Sequence, residues 1–172
     1  VERSRFLATQ ARDNAPHYQH SEIGYNYRMS NILAGVGRGQ MEGLDDKVKK
    51  TREIFNYYYR NLKDIPGISF LMEPSEDFYS NRWLTTIIID PARAGISRHE
   101  LQNEFEMENI ETRPLWKPMH LQPVFKDCPA YVNGISESLF ERGLCLPSGT
   151  SLREEDLERV VGVFRRIVVS KK

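Results

Sequence analysis

The sequence has no long apolar run, no excess of charge of either sign and few cysteines, and each absence excludes a class of protein. Basic and acidic residues number 24 each, so the formal net charge is zero. Nucleic-acid binding depends chiefly on basic side chains that neutralise phosphates, which argues against nucleic acid as the main partner. The longest apolar run, at 84–89, has the length of a strand, whereas a membrane helix needs roughly 20 residues.

The two cysteines, Cys128 and Cys145, form no CxxC motif, and no histidine accompanies them at a metal-binding spacing. We expect free thiols and a cytoplasmic protein, because disulfides belong mostly to oxidising compartments. The first residues are charged and lead into no apolar segment of a signal peptide. The chain opens on Val1 and runs into a polar stretch, so we expect part of a longer protein.

What is present is the composition of one globular domain, with 172 residues of which 40% are hydrophobic and 28% charged. Residues 1–29 are polar, lack clean periodicity and contain Pro16, which predicts a polar arm or loop. Apolar residues at three- and four-residue spacings then predict one long helix over 30–63, capped by Ser30 or Asn31 and open to a kink near its glycines.

Residues 64–172 alternate between strand and helix patterns after a strong turn signal, Pro66-Gly67. Strands are predicted at 68–72, 83–90, 110–113 and 144–146. Helices are predicted over 136–143 and after Ser-x-x-Glu capping boxes at Ser97 and Ser151, whereas 91–95 and 114–134 are predicted to be loops. The helix after Ser97 is predicted to point Leu101, Phe105 and Met107 inward. The helix after Ser151 is predicted to have one apolar stripe, formed by Leu157, Val160, Val161, Phe164 and Ile167. We expect an α/β domain with a small antiparallel or mixed sheet and helices on one face.

Three patterns that suggest chemistry have simpler explanations. The glycines in 35–39 lie inside a helical pattern with no strand before them, so close helix packing explains them better than a nucleotide-binding loop. His17, His20 and Glu22 lack the further ligands of a zinc site, so we predict no metal. Ser148 is not in a GxSxG motif and neither cysteine has a nearby histidine, which leaves nucleophilic hydrolysis without support.

The segment 24–30, Gly-Tyr-Asn-Tyr-Arg-Met-Ser, combines a short amide, a guanidinium and two phenols just before a predicted helix start. A helix start offers free N–H donors, Asn26 adds an amide donor, and Arg28 adds a charged guanidinium that is able to donate two parallel hydrogen bonds. These residue types suit an anionic group. A loop anchor whose polar groups are satisfied internally is the alternative.

The sequence resembles the DegT/StrS family of sugar aminotransferases over essentially its whole length. The resemblance rests on His-Ser-Glu-Ile-Gly-Tyr-Asn-Tyr-Arg-Met-Ser at 20–30, Ala-Gly-Val-Gly at 34–37 and Gln-Met at 40–41. Thr-Arg-Pro-Leu-Trp-Lys-Pro-Met-His at 112–120 and Leu-Cys-Leu-Pro-Ser-Gly at 144–149 support it. It implies the small C-terminal domain of a type I aminotransferase, with 1–29 as an arm of the large domain, 30–63 as a connecting helix and 64–172 as the small domain.

The resemblance further implies a homodimer that uses pyridoxal phosphate to move an amino group, usually from glutamate, to a nucleotide-linked keto-sugar in polysaccharide or glycan biosynthesis. Asn26 is implied to reach the cofactor phosphate of the neighbouring subunit. The residues implied at the same subunit edge are Tyr25, Arg28, His17 and His20, of which His20 is also a substrate-binding candidate. Arg113 and His120 are implied to face the sugar nucleotide.

No catalytic residue is predicted within this chain. The family's Schiff-base lysine, and the aspartate on the pyridine nitrogen, lie upstream of the matching region, and none of the lysines here stands in that context. We therefore expect the isolated chain to be inactive. A non-enzymatic α/β binding module, and a sugar dehydratase of the same fold with histidine in place of the lysine, remain the alternatives.

Overall fold

The computed structural model describes residues 1–170 and divides the chain into two compact units, Val1–Leu44 and the remainder from Asp45. The first unit contains α1 (Glu2–Ala8) and α2 (Asn31–Glu42). Helix α1 replaces part of the predicted irregular arm. Glu2 in the first turn and Arg5 in the last turn interact favourably with the helix dipole. The helix was not predicted because seven residues are too few to show a helical periodicity.

The predicted long helix is two helices, because α2 ends at Gly43 and α3 (Leu44–Leu62) begins directly after it. The N–H of Gly43 bonds to the carbonyl of Met41 instead of continuing the α-helical pattern. The predicted cap is confirmed, since the Ser30 hydroxyl accepts from the N–H of Leu33 at 3.2 Å. The division into 1–29, 30–63 and 64–172 stays a prediction about the longer protein.

The second unit is a four-stranded sheet with helices, and every strand pair is antiparallel, so the predicted α/β class is confirmed with an antiparallel sheet. The strand order is β1-β2-β4-β3. The strands are β1 (Ile68–Phe70), β2 (Thr85–Ile89), β3 (Arg113–Pro114) and β4 (Gly143–Leu146). The helices after α3 are α4 (Pro91–Ala94), α5 (Arg98–Met107), α6 (Ile135–Arg142) and α7 (Glu154–Ser170), with 3-10 turns at Met119–Leu121 and Pro123–Phe125.

The core lies against one face of this sheet. Ile87 is opposite Leu144 in the register, so both side chains are on the same face, and both are fully buried. Helices α3, α5 and α7 cover the face with an apolar stripe each. Tyr58 of α3 is buried among them, and its hydroxyl donates to the carbonyl of Pro147 at 2.9 Å. No helix in the described residues is long and apolar enough to cross a membrane.

One predicted capping box is confirmed and the other is wrong. The Ser97 hydroxyl accepts from the N–H of Glu100 at 3.2 Å, and the Glu100 carboxylate accepts from the N–H of Ser97 at 2.8 Å. At Ser151 the chain turns instead, and α7 begins at Glu154. The Asp156 carboxylate accepts there from the N–H of Arg153 at 2.9 Å, which replaces the predicted cap.

Two further predictions about this region are wrong. The loop at 91–95 contains α4, because Asp90 caps it by accepting from the N–H of Ala92 at 3.2 Å and Gly95 ends it in the left-handed region, with φ 72°. Met107, predicted to point inward with Leu101 and Phe105, is 71% exposed because α5 ends there.

Candidate functional site

In the first unit, the backbone of the 24–27 motif pairs with the end of α1 and the turn after it. Tyr25 donates its N–H to the carbonyl of Leu7 at 2.7 Å and accepts from the N–H of Gln10 at 2.9 Å. Tyr27 donates to the carbonyl of Ala8 at 3.0 Å. This short antiparallel pairing satisfies the main chain of the motif, so its side chains are positioned by a fixed backbone.

Gly24 is required by the close approach of this turn. A Cβ at Gly24 would lie 2.2 Å from the backbone nitrogen of Ala11 and 2.2 Å from the carbonyl carbon of Gln10. Both neighbours are non-glycine residues in the left-handed region, with φ 67° at Gln10 and 48° at Ala11, and Ala11 is fully buried. The absence of a Cβ at Gly24 therefore allows residue 24 to lie against this turn. Tyr25 and Asn26 follow directly after the contact, beside the turn.

The side chains of the motif face solvent. The Tyr25 and Tyr27 rings are stacked, with centroids 5.3 Å apart and planes 9° from parallel. The Asn26 amide and the Arg28 guanidinium are exposed, and neither makes a side-chain hydrogen bond to any described residue. The loop-anchor alternative needs these groups to be satisfied internally, and the contacts among the described residues do not satisfy them, so both donors are accessible to solvent or to a ligand.

The histidines near the motif are bound separately rather than gathered into one cluster. The His20 Nδ1 lies 2.8 Å from the carbonyl oxygen of Gln10, so this nitrogen donates and the ring is held against the turn. The His17 Nε2 lies 3.2 Å from Gln19 Oε1. Glu22 forms a bidentate ion pair with Arg3, in which Arg3 Nη1 lies 2.6 Å from Glu22 Oε1. The three side chains considered for zinc therefore have different partners.

The second unit has a cavity of about 760 Å³ where the segment before β2, the end of β4 and residues 109–114 meet the start of α7. Both tryptophans of the sequence line it, with ring centroids 5.8 Å apart. Trp83 is 61% exposed and Trp116 is 66% exposed. Thr112 also lines the cavity and is buried, and its hydroxyl has no hydrogen-bond partner among the described residues.

Sequence reasoning missed part of this cavity. Trp83 was predicted as a strand residue, but β2 begins only at Thr85. Ser148 was considered only as a nucleophile, whereas its hydroxyl accepts from the N–H of Thr85 at 2.8 Å and donates to the carbonyl of Leu146 at 2.8 Å. It therefore joins two strand ends.

The two candidate substrate residues of this unit lie at different cavities. Arg113 is at the larger one, where its exposed guanidinium donates to the carboxylate of Glu111, with Nε at 2.8 Å. His120 lies in the first 3-10 turn and lines a smaller cavity of about 370 Å³. Its Nε2 is 2.7 Å from Glu137 Oε1. The structure does not bring Arg113 and His120 together within this unit.

A partly buried ion-pair cluster holds the loop that leads to Trp83. The Glu73 carboxylate accepts from Arg52 at 2.7 Å and from the N–H of Ser80 at 2.6 Å, and Arg82 lies 3.4 Å away. The hydrogen bond from Arg52, then that from the Ser80 N–H, lowers the pKa of Glu73 from 4.5 to about 2. The guanidinium of Arg82 lies over the Phe55 ring at 3.9 Å, which ties the loop to α3.

This cluster predicts an acid-dependent stability. The pKa of Glu73 is lower in the folded state, so its stabilising effect is complete above the ordinary value and is lost as the pH falls towards about 2. Glu73→Gln should therefore lose less stability than the wild type between about pH 5 and pH 2. Urea unfolding at several pH values measures this, with the exposed Glu76→Gln as control. An unchanged acid dependence in Glu73→Gln would contradict the assignment.

Comparison with known sequences identifies relatives of this chain. The chain is 48% identical over 168 residues to EpsN of Bacillus subtilis (strain 168), assigned as a pyridoxal phosphate-dependent aminotransferase, covering 95% of this chain and 42% of that protein. It is 36% identical to the GDP-perosamine synthase of Escherichia coli O157:H7, covering 81% of this chain and 36% of that protein. The chain thus spans about two-fifths of the length of these curated relatives.

The fold comparison agrees. The crystal structure of the aminotransferase TlmJ from Streptoalloteichus hindustanus superposes on 98% of this chain and 44% of its own, with a TM-score of 0.85 and 21% identity. This likeness confirms the predicted aminotransferase fold. The model of one family, the DegT/DnrJ/EryC1/StrS aminotransferases, matches residues 1–165. The chain therefore belongs to the DegT/DnrJ/EryC1/StrS aminotransferase family, whose members depend on pyridoxal phosphate.

Proposed function

We propose that the longer protein containing this chain is a pyridoxal phosphate-dependent aminotransferase that transfers an amino group from glutamate to a nucleotide-linked keto-sugar. Family membership supports the reaction, and the GDP-perosamine synthase relative supports a nucleotide-linked sugar as substrate. We place the reaction in polysaccharide or glycan biosynthesis in the cytoplasm. The two free cysteines agree with a reducing compartment.

The observation that carries the proposal is the set of free donors at 24–30. The amide of Asn26 and the guanidinium of Arg28 have no internal partner among the described residues, and the α2 N-terminus follows at Ser30. Amide, guanidinium and helix-start donors are the groups that bind phosphate in proteins. The residues present therefore fit the phosphate of pyridoxal phosphate, which when bound carries the amino group between donor and acceptor.

The residues of this chain would bind and orient rather than react. Asn26 would donate its amide N–H to the phosphate oxygens of the neighbouring subunit's cofactor, Arg28 would add positive charge, and Tyr25, stacked on Tyr27, would lie beside them. His20 keeps the supporting turn in place through its bond to Gln10. No residue here supplies the Schiff-base lysine, so the chain contributes a binding edge to an active site completed by other residues.

The exposed apolar residues of α2 support the proposed homodimer. The helix has no buried residue, and its apolar side chains Ile32, Leu33, Val36 and Met41 are all more than half exposed. Contiguous apolar surface of this kind marks a protein–protein interface. We infer that α2 packs against further protein in the dimer, which brings the adjacent Asn26 to the neighbouring subunit.

On the substrate side, Arg113 and His120 are proposed to contact the sugar nucleotide. Arg113 lies at the cavity of about 760 Å³, which is within the size range of small-molecule sites. Its guanidinium is exposed and, among the described residues, is held only by Glu111, so it is able to meet an anionic substrate group.

The test is the retention of cofactor in the full-length protein. Asn26→Ala should weaken pyridoxal phosphate binding by about 1.5–3 kcal/mol, the size of a hydrogen bond to a charged group, which corresponds to roughly a 10- to 150-fold higher Kd. Dialysis followed by absorbance titration measures the Kd. Asn103→Ala, at an exposed position on α5, is the matched control and should leave the Kd unchanged.

Turnover decides between the enzyme classes. With glutamate and a nucleotide-linked keto-sugar, the full-length protein should form the amino sugar and 2-oxoglutarate in equal amounts. Formation of a deoxygenated sugar without 2-oxoglutarate would instead identify a dehydratase.

For the cofactor titration, an unchanged Kd in Asn26→Ala would remove Asn26 from the phosphate site.

A further inference from the structure

His120 and Glu137 form an isolated pair that joins the proline-rich loop at 114–134 to α6. The His120 Nε2 is 2.7 Å from Glu137 Oε1, and the two side chains are 20% and 33% exposed. Within the described chain, this is the one side-chain hydrogen bond between residues 117–132 and another element of the fold. The loop therefore depends on this contact for the orientation of the imidazole.

Glu137 is well placed to fix that orientation. It lies in the first turn of α6, whose start is set by Gly134 in the left-handed region with φ 78°. The backbone under Glu137 is therefore α-helical, whereas His120 lies in the single 3-10 turn Met119–Leu121 within the loop. The pair thus consists of an acceptor on a two-turn α-helix and an imidazole on a short 3-10 turn.

The bond also determines which ring nitrogen carries the proton. A carboxylate only accepts, so the Nε2 of His120 must be the donor. In the neutral ring the other nitrogen, Nδ1, is then an acceptor. An acceptor at this position matches a hydroxyl donor, whereas the oxygens of a diphosphate offer no proton to it.

We propose that Glu137 is a positioning residue that holds the His120 imidazole in the Nε2–H form and so presents Nδ1 as an acceptor to a hydroxyl group of the nucleotide-linked sugar. This inference rests on the proposed function for the identity of the substrate. The position of His120 on the wall of the smaller cavity gives the ring a space in which to meet a ligand.

Three variants of the full-length enzyme separate this role from simple loop anchoring. Glu137→Ala should raise the KM for the sugar nucleotide roughly 3- to 10-fold at unchanged kcat, the size of one neutral hydrogen bond. Glu137→Gln keeps a carbonyl acceptor for the Nε2–H and should restore the wild-type KM. His120→Gln is the decisive variant, because its amide nitrogen replaces Nε2 and preserves the bond to Glu137 but removes Nδ1.

Under the proposal, His120→Gln raises the KM as much as Glu137→Ala does, and adding Glu137→Ala to it causes no further rise. If Glu137 only anchors the loop, His120→Gln retains the wild-type KM, and the proposal is overturned. Thermal unfolding of each variant, compared with the wild type, shows whether a raised KM reflects a loss of folding instead.

A second readout does not depend on turnover. Long-range proton–nitrogen correlation NMR of the full-length protein labelled with ¹⁵N-histidine reports which ring nitrogen is protonated, and His120→Gln identifies the His120 signals. We expect the Nε2–H form in the wild type and a mixture of both forms in Glu137→Ala. A wild-type ring protonated at Nδ1 would overturn the positioning role, whereas an enzyme with the expected tautomer but no turnover of sugar nucleotides would overturn the proposed function alone.

Discussion

Replacing Phe164 by alanine is expected to lower the free energy of unfolding of the second unit by about 3–5 kcal/mol. Phe164 is fully buried on α7, and its ring centroid lies 6.0 Å from that of Phe105 on α5. Truncation loses the transfer free energy of the ring and leaves a cavity between two helices and the sheet. Helices α5 and α7 are held together largely by such apolar contacts, so the site has little freedom to collapse around the void.

Equilibrium unfolding of the 172-residue chain in urea measures this loss. Met107→Ala is the matched control, since Met107 is also a large apolar residue of α5 but is 71% exposed. It should change the stability by no more than about 0.5 kcal/mol. A loss below about 1 kcal/mol in Phe164→Ala would show that α7 does not pack on α5 as described.

Gly24→Ala is expected to raise the Kd of the full-length protein for pyridoxal phosphate at least as much as Asn26→Ala. The new Cβ would lie 2.2 Å from two backbone atoms, so either the pairing of 24–27 with 7–10 opens or the turn at Gln10 and Ala11 moves. Both movements displace Asn26, which follows two residues later. Because the obstructing atoms belong to backbone, a side-chain rotation does not relieve the clash.

Gly162→Ala is the control for this substitution. Gly162 lies inside α7, is exposed, and has no atom within 4 Å of an added Cβ among the described residues. Alanine there should stabilise the chain by about 0.5–1 kcal/mol and leave the cofactor Kd unchanged. A Gly24→Ala protein that retains cofactor as the wild type does would show that the turn next to Asn26 is not needed for the site.

Local sequence signals predicted much of the second unit correctly. The Ser97 capping box sets the start of α5, and the alternation of β-branched residues predicts β2, because both depend on neighbours a few residues apart. The apolar stripe of α7 was also predicted, and Val160, Phe164 and Ile167 are all buried. Where two local signals competed, the sequence was less informative. At the second Ser-x-x-Glu pattern the Asp156 carboxylate accepts from the N–H of Arg153, and the predicted Ser151 cap does not form. Gly43 ends α2 although the helical periodicity continues beyond it.

The candidate site was less predictable, because its organising contacts are between distant residues. Residue types alone predicted an anion-binding motif around Asn26 and Arg28, but the turn that supports it depends on Gln10 and Ala11, whose positive φ values carry no sequence signal. The Glu73 bond to Arg52 spans 21 residues, and the His120 bond to Glu137 spans 17. Such pairs follow from the fold rather than from any local spacing.

A crystal structure of the full-length protein with pyridoxal phosphate tests the central claim most directly. The distance to measure is that from the Asn26 amide nitrogen to the nearest phosphate oxygen of the cofactor bound by the neighbouring subunit. We predict a hydrogen bond of about 2.7–3.2 Å. An Asn26 amide that faces away from a fully occupied cofactor, with the phosphate bound by other residues, would contradict the account.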